Sequence, residues 1–244
     1  MIELKNLTKR YGNTLAVNNL SLSVPRGEIY GFIGPNGAGK TTTIRIMGGV
    51  LAPTEGAVII DGMNMADDPE AVKRKIGFIP DRPFIYEKLT GMEFMRFSGD
   101  LYGVDEKAFP DRARGLLQKF GIFNWADELI ESYSHGMKQR LIISSALLHD
   151  PAVIVVDEPM VGLDPAAIKL VKDTFRDMAR GGMTIFMSTH TLAVAEDICD
   201  RIGVIHKGSL IATGTTGDLK RDAGVDEADL ESVFLILTQE QDAP

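Results

Sequence analysis

Apolar and polar residues alternate over 2–7 and over 19–24, where Leu20, Leu22 and Val24 interleave with Ser21 and Ser23. A period of two predicts half-buried strands, here two short antiparallel ones. Pro25-Arg26-Gly27 supplies a turn, and Glu28 to Ile33 then reads as a buried strand. Thr41 to Met47 reads as a helix. Val58-Ile59-Ile60 is a strand closed by the turn Asp61-Gly62. A short helix is expected from Pro69 to Lys75, with proline at its start, and Ile76 to Ile79 is another strand, ended by Pro80.

The pattern changes near Thr90. Up to Asp150 the apolar positions follow helical spacing, with Met92, Met95 and Leu101, then Leu116, Leu117 and Phe120, then Leu141, Ala146 and Leu148. No strand pattern interrupts them. About 60 residues of helix inside an α/β alternation predict an inserted helical subdomain whose Met and Phe residues mostly fill its core. After it, Val153 to Val156 form a continuous β-branched run, as in a parallel strand covered on both faces. A helix is expected over about 166–179, a strand over 184–187 and a helix over 192–199. Ile202 to His206 and Ser209 to Ala212 suggest a hairpin around Lys207-Gly208. From Val225 onward an amphipathic segment carries Leu230, Val233, Phe234 and Leu237, suited to docking on the body or on another chain.

Composition narrows the classes. The 244 residues are 44% hydrophobic and 25% charged, as expected of a globular chain with a real core. A net charge of −8 argues against a general nucleic-acid coat, and no nucleic-acid partner is expected. The single cysteine, Cys199, allows neither an internal disulfide nor a site of paired cysteines, so a cytoplasmic protein is expected. No apolar run reaches the length of a membrane span, so any membrane role needs a partner.

The chemistry begins at Gly34-Pro35-Asn36-Gly37-Ala38-Gly39-Lys40-Thr41-Thr42. Between a buried strand and a helix, this is the spacing of a phosphate-cradling loop. Glycines let backbone N–H groups face the phosphates, and the helix N-terminus adds partial positive charge. Lys40 can reach the β- and γ-phosphates, and Thr41 can ligate magnesium. Asp157 and Glu158 end the β-branched strand on the ligand side of an open sheet. Asp157 is placed to hold Mg²⁺ and Glu158 to polarise water. His190 ends the next strand, near the γ-phosphate position if it is not merely structural. Tyr11 is equally a wedge in a turn or a plate for a base. Ser134, ahead of His135-Gly136-Met137, is equally an ordinary helix cap or part of an anion site.

With these motifs in order, residues 1–220 resemble the nucleotide-binding subunit of an ATP-binding cassette (ABC) transporter. The similarity is greatest to export-type systems with separate membrane subunits, whose short C-terminal end is similar to Phe234 and its neighbours. The resemblance implies Walker A at Gly34–Thr42 and Walker B at Val153–Glu158. It implies an adenine-stacking role for Tyr11, a signature motif at Ser134–Arg140, a D-loop at Gly162-Leu163-Asp164 and a switch histidine at His190. Where the family signature reads Leu-Ser-Gly-Gly-Gln, this chain has Tyr133-Ser134-His135-Gly136-Met137. Asp81 stands where the family commonly places a glutamine that contacts Mg²⁺.

The resemblance implies an α/β fold. A P-loop NTPase core with a mixed, mainly parallel sheet and an antiparallel N-terminal β subdomain would span 1–89 and 151–222. The helical signature subdomain would span 90–150 and a short tail 223–244. It further implies ATP and Mg²⁺ as cofactors, a head-to-tail homodimer with Ser134 and Gly136 of one chain facing the P-loop of the other, and transmembrane permease subunits as partners. The chain would then sit peripherally on the cytoplasmic face of the cell membrane. A soluble ABC-type ATPase acting on a non-membrane partner is the alternative, although such proteins usually carry two cassettes or a coiled-coil insertion. A GTPase would need an Asn-Lys-x-Asp motif, and the chain has none.

Overall fold

The structure is a computed structural model that describes residues 1–82, 84–225 and 229–240. In chain order the first half runs β1 (Ile2–Tyr11), β2 (Thr14–Val24), β3 (Ile29–Ile33), α1 (Lys40–Met47), β4 (Glu55–Ile60), β5 (Met63–Asn64), α2 (Pro69–Lys73), β6 (Ile76–Ile79), α3 (Gly91–Tyr102) and α4 (Phe109–Lys119). The second half runs α5 (His135–Leu147), β7 (Val153–Asp157), α6 (Pro165–Arg180), β8 (Thr184–Thr189), α7 (Leu192–Ile198), β9 (Arg201–His206), β10 (Ser209–Gly214), α8 (Thr216–Asp222) and α9 (Leu230–Glu240).

Two sheets result. The alternating strands near the N-terminus build an antiparallel sheet in the order β2-β1-β4-β5. The continuous apolar strands build the second, in the order β10-β9-β3-β8-β7-β6, where β3, β6, β7, β8 and β9 are all parallel. Its central strands β3, β7 and β8 are buried at every position, as helices on one face and a sheet on the other require. Between the two sheets, Phe32, Phe186, Ile44 and Met47 share a core with Leu4, Leu20 and Val58. On the opposite face, Val171 and Phe175 of α6 pack with Ile185 and Met187.

Within 90–150, α3 and α5 start on side-chain caps. Thr90 and Glu93 form a reciprocal capping box on α3, and Met95, Phe120 and Leu141 are buried together. Leu101 departs from expectation. It matches the helical spacing yet is 66% exposed, because it lies on the outward face of α3. The C-terminal segment docks on the body. Leu230 and Val233 of α9 are buried with Ile33, Ala195, Val204 and Leu219. Helix α8 was not foreseen, although Thr215 and Asp218 form a capping box at its start. It has only seven residues, too few for a clear helical period.

Candidate functional site

Strand β3 delivers the chain into the loop 34–39, and α1 leaves it. The glycines are needed there sterically. A Cβ on Gly34 would lie 2.3 Å from the Ile205 carbonyl oxygen of β9, and one on Gly39 would lie 2.4 Å from the Ala16 carbonyl oxygen. Gly39 also has φ +111°, closed to ordinary side chains. The loop can therefore press against β9 and β2 while turning its interior toward a cleft of about 390 Å³. Asn36 through Thr42 line that cleft at the N-terminus of α1, where unpaired helix N–H groups favour anions.

Lys40 is buried, and its Nζ donates to the carbonyl oxygens of Gly34 at 2.6 Å and Pro35 at 3.1 Å. Burial pushes its pKa below the usual lysine value, while the carboxylates of Glu158 and Asp157 pull it back up. Gly34 and Pro35 face the other way, into a separate crevice shared with His190 and Phe234.

The opposite wall of the cleft comes from the ends of β7 and β8, paired in register so that Asp157 lies beside Ser188. The Ser188 hydroxyl donates to Asp157 Oδ1. Asp157 Oδ2 is buried and has no hydrogen-bond partner among the described residues. A buried carboxylate oxygen without a donor is costly. With the Thr41 hydroxyl on the facing helix, it fits a divalent cation.

Glu158 turns out of β7 with φ +55°, a left-handed conformation that non-glycine residues rarely adopt. Its N–H donates to the Ser188 carbonyl at 3.3 Å. Its Oε1 stands 2.8 Å from Nδ1 of His190, and the His190 N–H donates to Oε2 at 3.4 Å. Both residues line the cleft, with Asp81 and Val161 at its rim.

Other expected residues lie elsewhere. Tyr11 ends β1 and is 48% exposed, with Lys9 Nζ 5.3 Å from its ring, and it does not line the cleft. Ser134 caps α5 by accepting from the Met137 N–H at 3.3 Å, and neither it nor Gly136 and Met137 line the cleft of their own chain. Asp164 caps α6, accepting from the Ala167 N–H at 2.8 Å. Sequence reasoning missed Ala16, Val161 and Ser188. Only Ser188 carried a signal, as a polar residue at the end of a strand beside β7.

Comparison with known proteins agrees with this geometry. Residues 17–161 match the family described as ABC transporter. The ABC-type transporter ATP-binding protein EcsA of Bacillus subtilis is 36% identical over 240 residues, covering 98% of this chain and 97% of EcsA. The daunorubicin/doxorubicin resistance ATP-binding protein DrrA of Streptomyces peucetius is 39% identical over 223 residues, covering 91% of this chain and 68% of DrrA. A dimeric ATP-binding cassette solved in a post-hydrolysis state with ADP and Pi superposes with a TM-score of 0.77 at 28% identity, covering 88% of this chain and 98% of that one. A phosphate loop facing two strand-end carboxylates, with matches of this length, makes the chain a member of the ABC transporter family.

Proposed function

We propose that this chain is the ATP-hydrolysing subunit of an exporter, working as a dimer that closes around two ATP molecules and drives separate membrane subunits. The observation that carries the reading is the cleft that brings Lys40, the glycine loop, Asp157, Glu158 and His190 to one place. Export is supported by the likeness to DrrA, whose name assigns it to drug resistance.

In this reading the loop Gly34 to Thr42 binds the triphosphate through Asn36 to Thr42 at the cleft, with Gly34 and Pro35 supporting it from behind and Lys40 giving up its carbonyl contacts to reach the β- and γ-phosphates. Asp157 and Thr41 would hold Mg²⁺, with Asp81 as a further contact. The ion would supply charge neutralisation on the β- and γ-phosphates. Glu158 orients the attacking water and accepts its proton. His190, held against Glu158, keeps that carboxylate aimed and contacts the γ-phosphate. Ser134, His135, Gly136 and Met137 act on the nucleotide of the second chain, and Asp164 lies in the connecting loop between subunits. That none of Ser134, Gly136 and Met137 lines the chain's own cleft is consistent with action in trans. Tyr11 is proposed to stack on adenine from the rim.

No helix among the described residues is long and apolar enough to cross a membrane. In this reading permease subunits carry out the membrane step, and the chain would sit peripherally on the cytoplasmic face. The core would be residues 1–89 and 151–222, and the segment 90–150 the lever. An exposed ladder of rings where the core segment meets the helical one supports docking at that junction. Phe84, 80% exposed, meets Tyr86 edge-on at 5.1 Å, and Tyr86 meets Phe97 at 5.2 Å.

The test is Glu158→Gln. It keeps the side-chain volume and removes the base, so turnover should fall by about a hundredfold or more, while ATP binding persists and an ATP-bound dimer accumulates on size exclusion. Hydrolysis at the wild-type rate would overturn the assignment of the carboxylate.

A further inference from the structure

The signature region of this chain carries an imidazole where the family pattern has glycine, and that ring has a specific neighbour. A Cβ placed on Gly162 would lie 2.4 Å from Cδ2 and 2.5 Å from Nε2 of His135. The His135 ring thus stands over the Cα of Gly162, in the space that the missing side chain leaves. The next residues repeat the contact more loosely, since a Cβ on Gly136 would meet Leu163 at 3.7 Å. The first turn of α5 therefore rests on the segment Val161–Asp164. On its other side His135 lines a side cleft of about 220 Å³ with Asp81, Lys138, Gln139, Glu158 and Val161. Asp81, Glu158 and Val161 line the phosphate cleft as well. His135 thus sits at a junction between the helical insert, the segment after Glu158 and the site.

We propose that His135 is a positioning residue, a latch that ties the N-terminus of α5 to Gly162 so that the helical insert and the loop after Glu158 move as one body during the ATPase cycle. The proposal rests on the ATPase reading above. It accounts for two residues at once. The latch needs a ring at 135 and no side chain at 162. Gly162 also has φ +75°, so a side chain there is strained whatever lies at 135. That backbone cost is common to both backgrounds of a double-mutant cycle and cancels in it, leaving only the contact with the ring.

The experiment uses the purified full chain and four forms: wild type, Gly162→Ala, His135→Gly and the double variant. Steady-state ATPase rates and nucleotide affinities are measured for each. Gly162→Ala should lower kcat about tenfold or more with the ATP Kd changed less than about twofold, since the phosphate loop is untouched. In the His135→Gly background the same change should cost less than about threefold relative to His135→Gly alone. An equal loss in both backgrounds would overturn the latch, as would a Gly162→Ala form with wild-type kcat. A loss of nucleotide affinity that parallels the loss of rate would overturn it too, because a general loosening of the fold would do that. If wild type itself hydrolyses no ATP, the site reading fails first. If wild type is active and the cycle shows no coupling, only the latch fails.

Discussion

At the scale of the residue, Lys40 is the side chain on which the proposed phosphate site turns. Burial pushes the pKa of its ammonium group down, the nearby carboxylates of Glu158 and Asp157 oppose that shift, and two backbone carbonyls accept its hydrogen bonds. Lys40→Ala should weaken ATP binding by at least about tenfold, the equivalent of one charge-assisted hydrogen bond or more. Titration calorimetry gives the number, and an unchanged Kd would remove Lys40 from the phosphate site. Residues of this kind were legible in the sequence because phosphate chemistry dictates both their type and their spacing within one loop. Contacts made across the fold were not. The hydrogen bond from Ser188 to Asp157 depends on the register of β7 against β8, and the seat of His135 on Gly162 joins positions 27 apart. Spacing along the chain encodes neither.

At the scale of the element, the long periodic segments were readable and the short ones were not. Helix α6, with Lys169, Asp173 and Asp177 exposed and Val171 and Phe175 buried, left no ambiguity, whereas α8 is too brief to show a period and was betrayed only by its cap. Helices α6 and α7 are joined through Asp197, whose carboxylate accepts from Lys172 Nζ at 2.7 Å and from Arg176 Nη2 at 2.6 Å. The hydrogen bond from Lys172, with that from Arg176, holds the Asp197 pKa below its ordinary value of 3.8. Its side chain is 46% exposed, so solvent screening limits the tie to about 0.5–1 kcal/mol. Asp197→Asn should lose that amount in urea denaturation at neutral pH. A folded-state pKa lowered in this way contributes fully above the ordinary value of 3.8 and is lost as pH falls through the depressed value. Wild type and variant should therefore converge in strongly acidic buffer and stay apart above it. Curves that coincide at pH 7 would show that the tie contributes nothing.

At the scale of the whole molecule, the order of strands and helices follows from the sequence because each stretch chooses its period without reference to the others. The division into two sheets was likewise foreshadowed, since alternating strands suit a one-sided sheet and continuous apolar ones a covered sheet. Partners are a property of the surface, and there the aromatic ladder at Phe84, Tyr86 and Phe97 makes a concrete demand. Tagged protein drawn from detergent-solubilised host membranes should bring a polytopic membrane protein in roughly equal amount, and replacing Phe84 and Tyr86 by serine should release it. Recovery of only ribosomes or soluble proteins, identified by mass spectrometry, would move the work of this ATPase off the membrane. One packing detail sets the timing of all this. Ile33, the residue that hands the chain to the phosphate loop, shares its core with Leu230 and Val233 of α9. Synthesis runs from the N-terminus, so the strand that carries the loop emerges about two hundred residues before the helix that supports it. A ribosome-bound nascent chain that displays the glycine loop but not yet α9 is therefore expected to capture ATP more weakly than the finished chain.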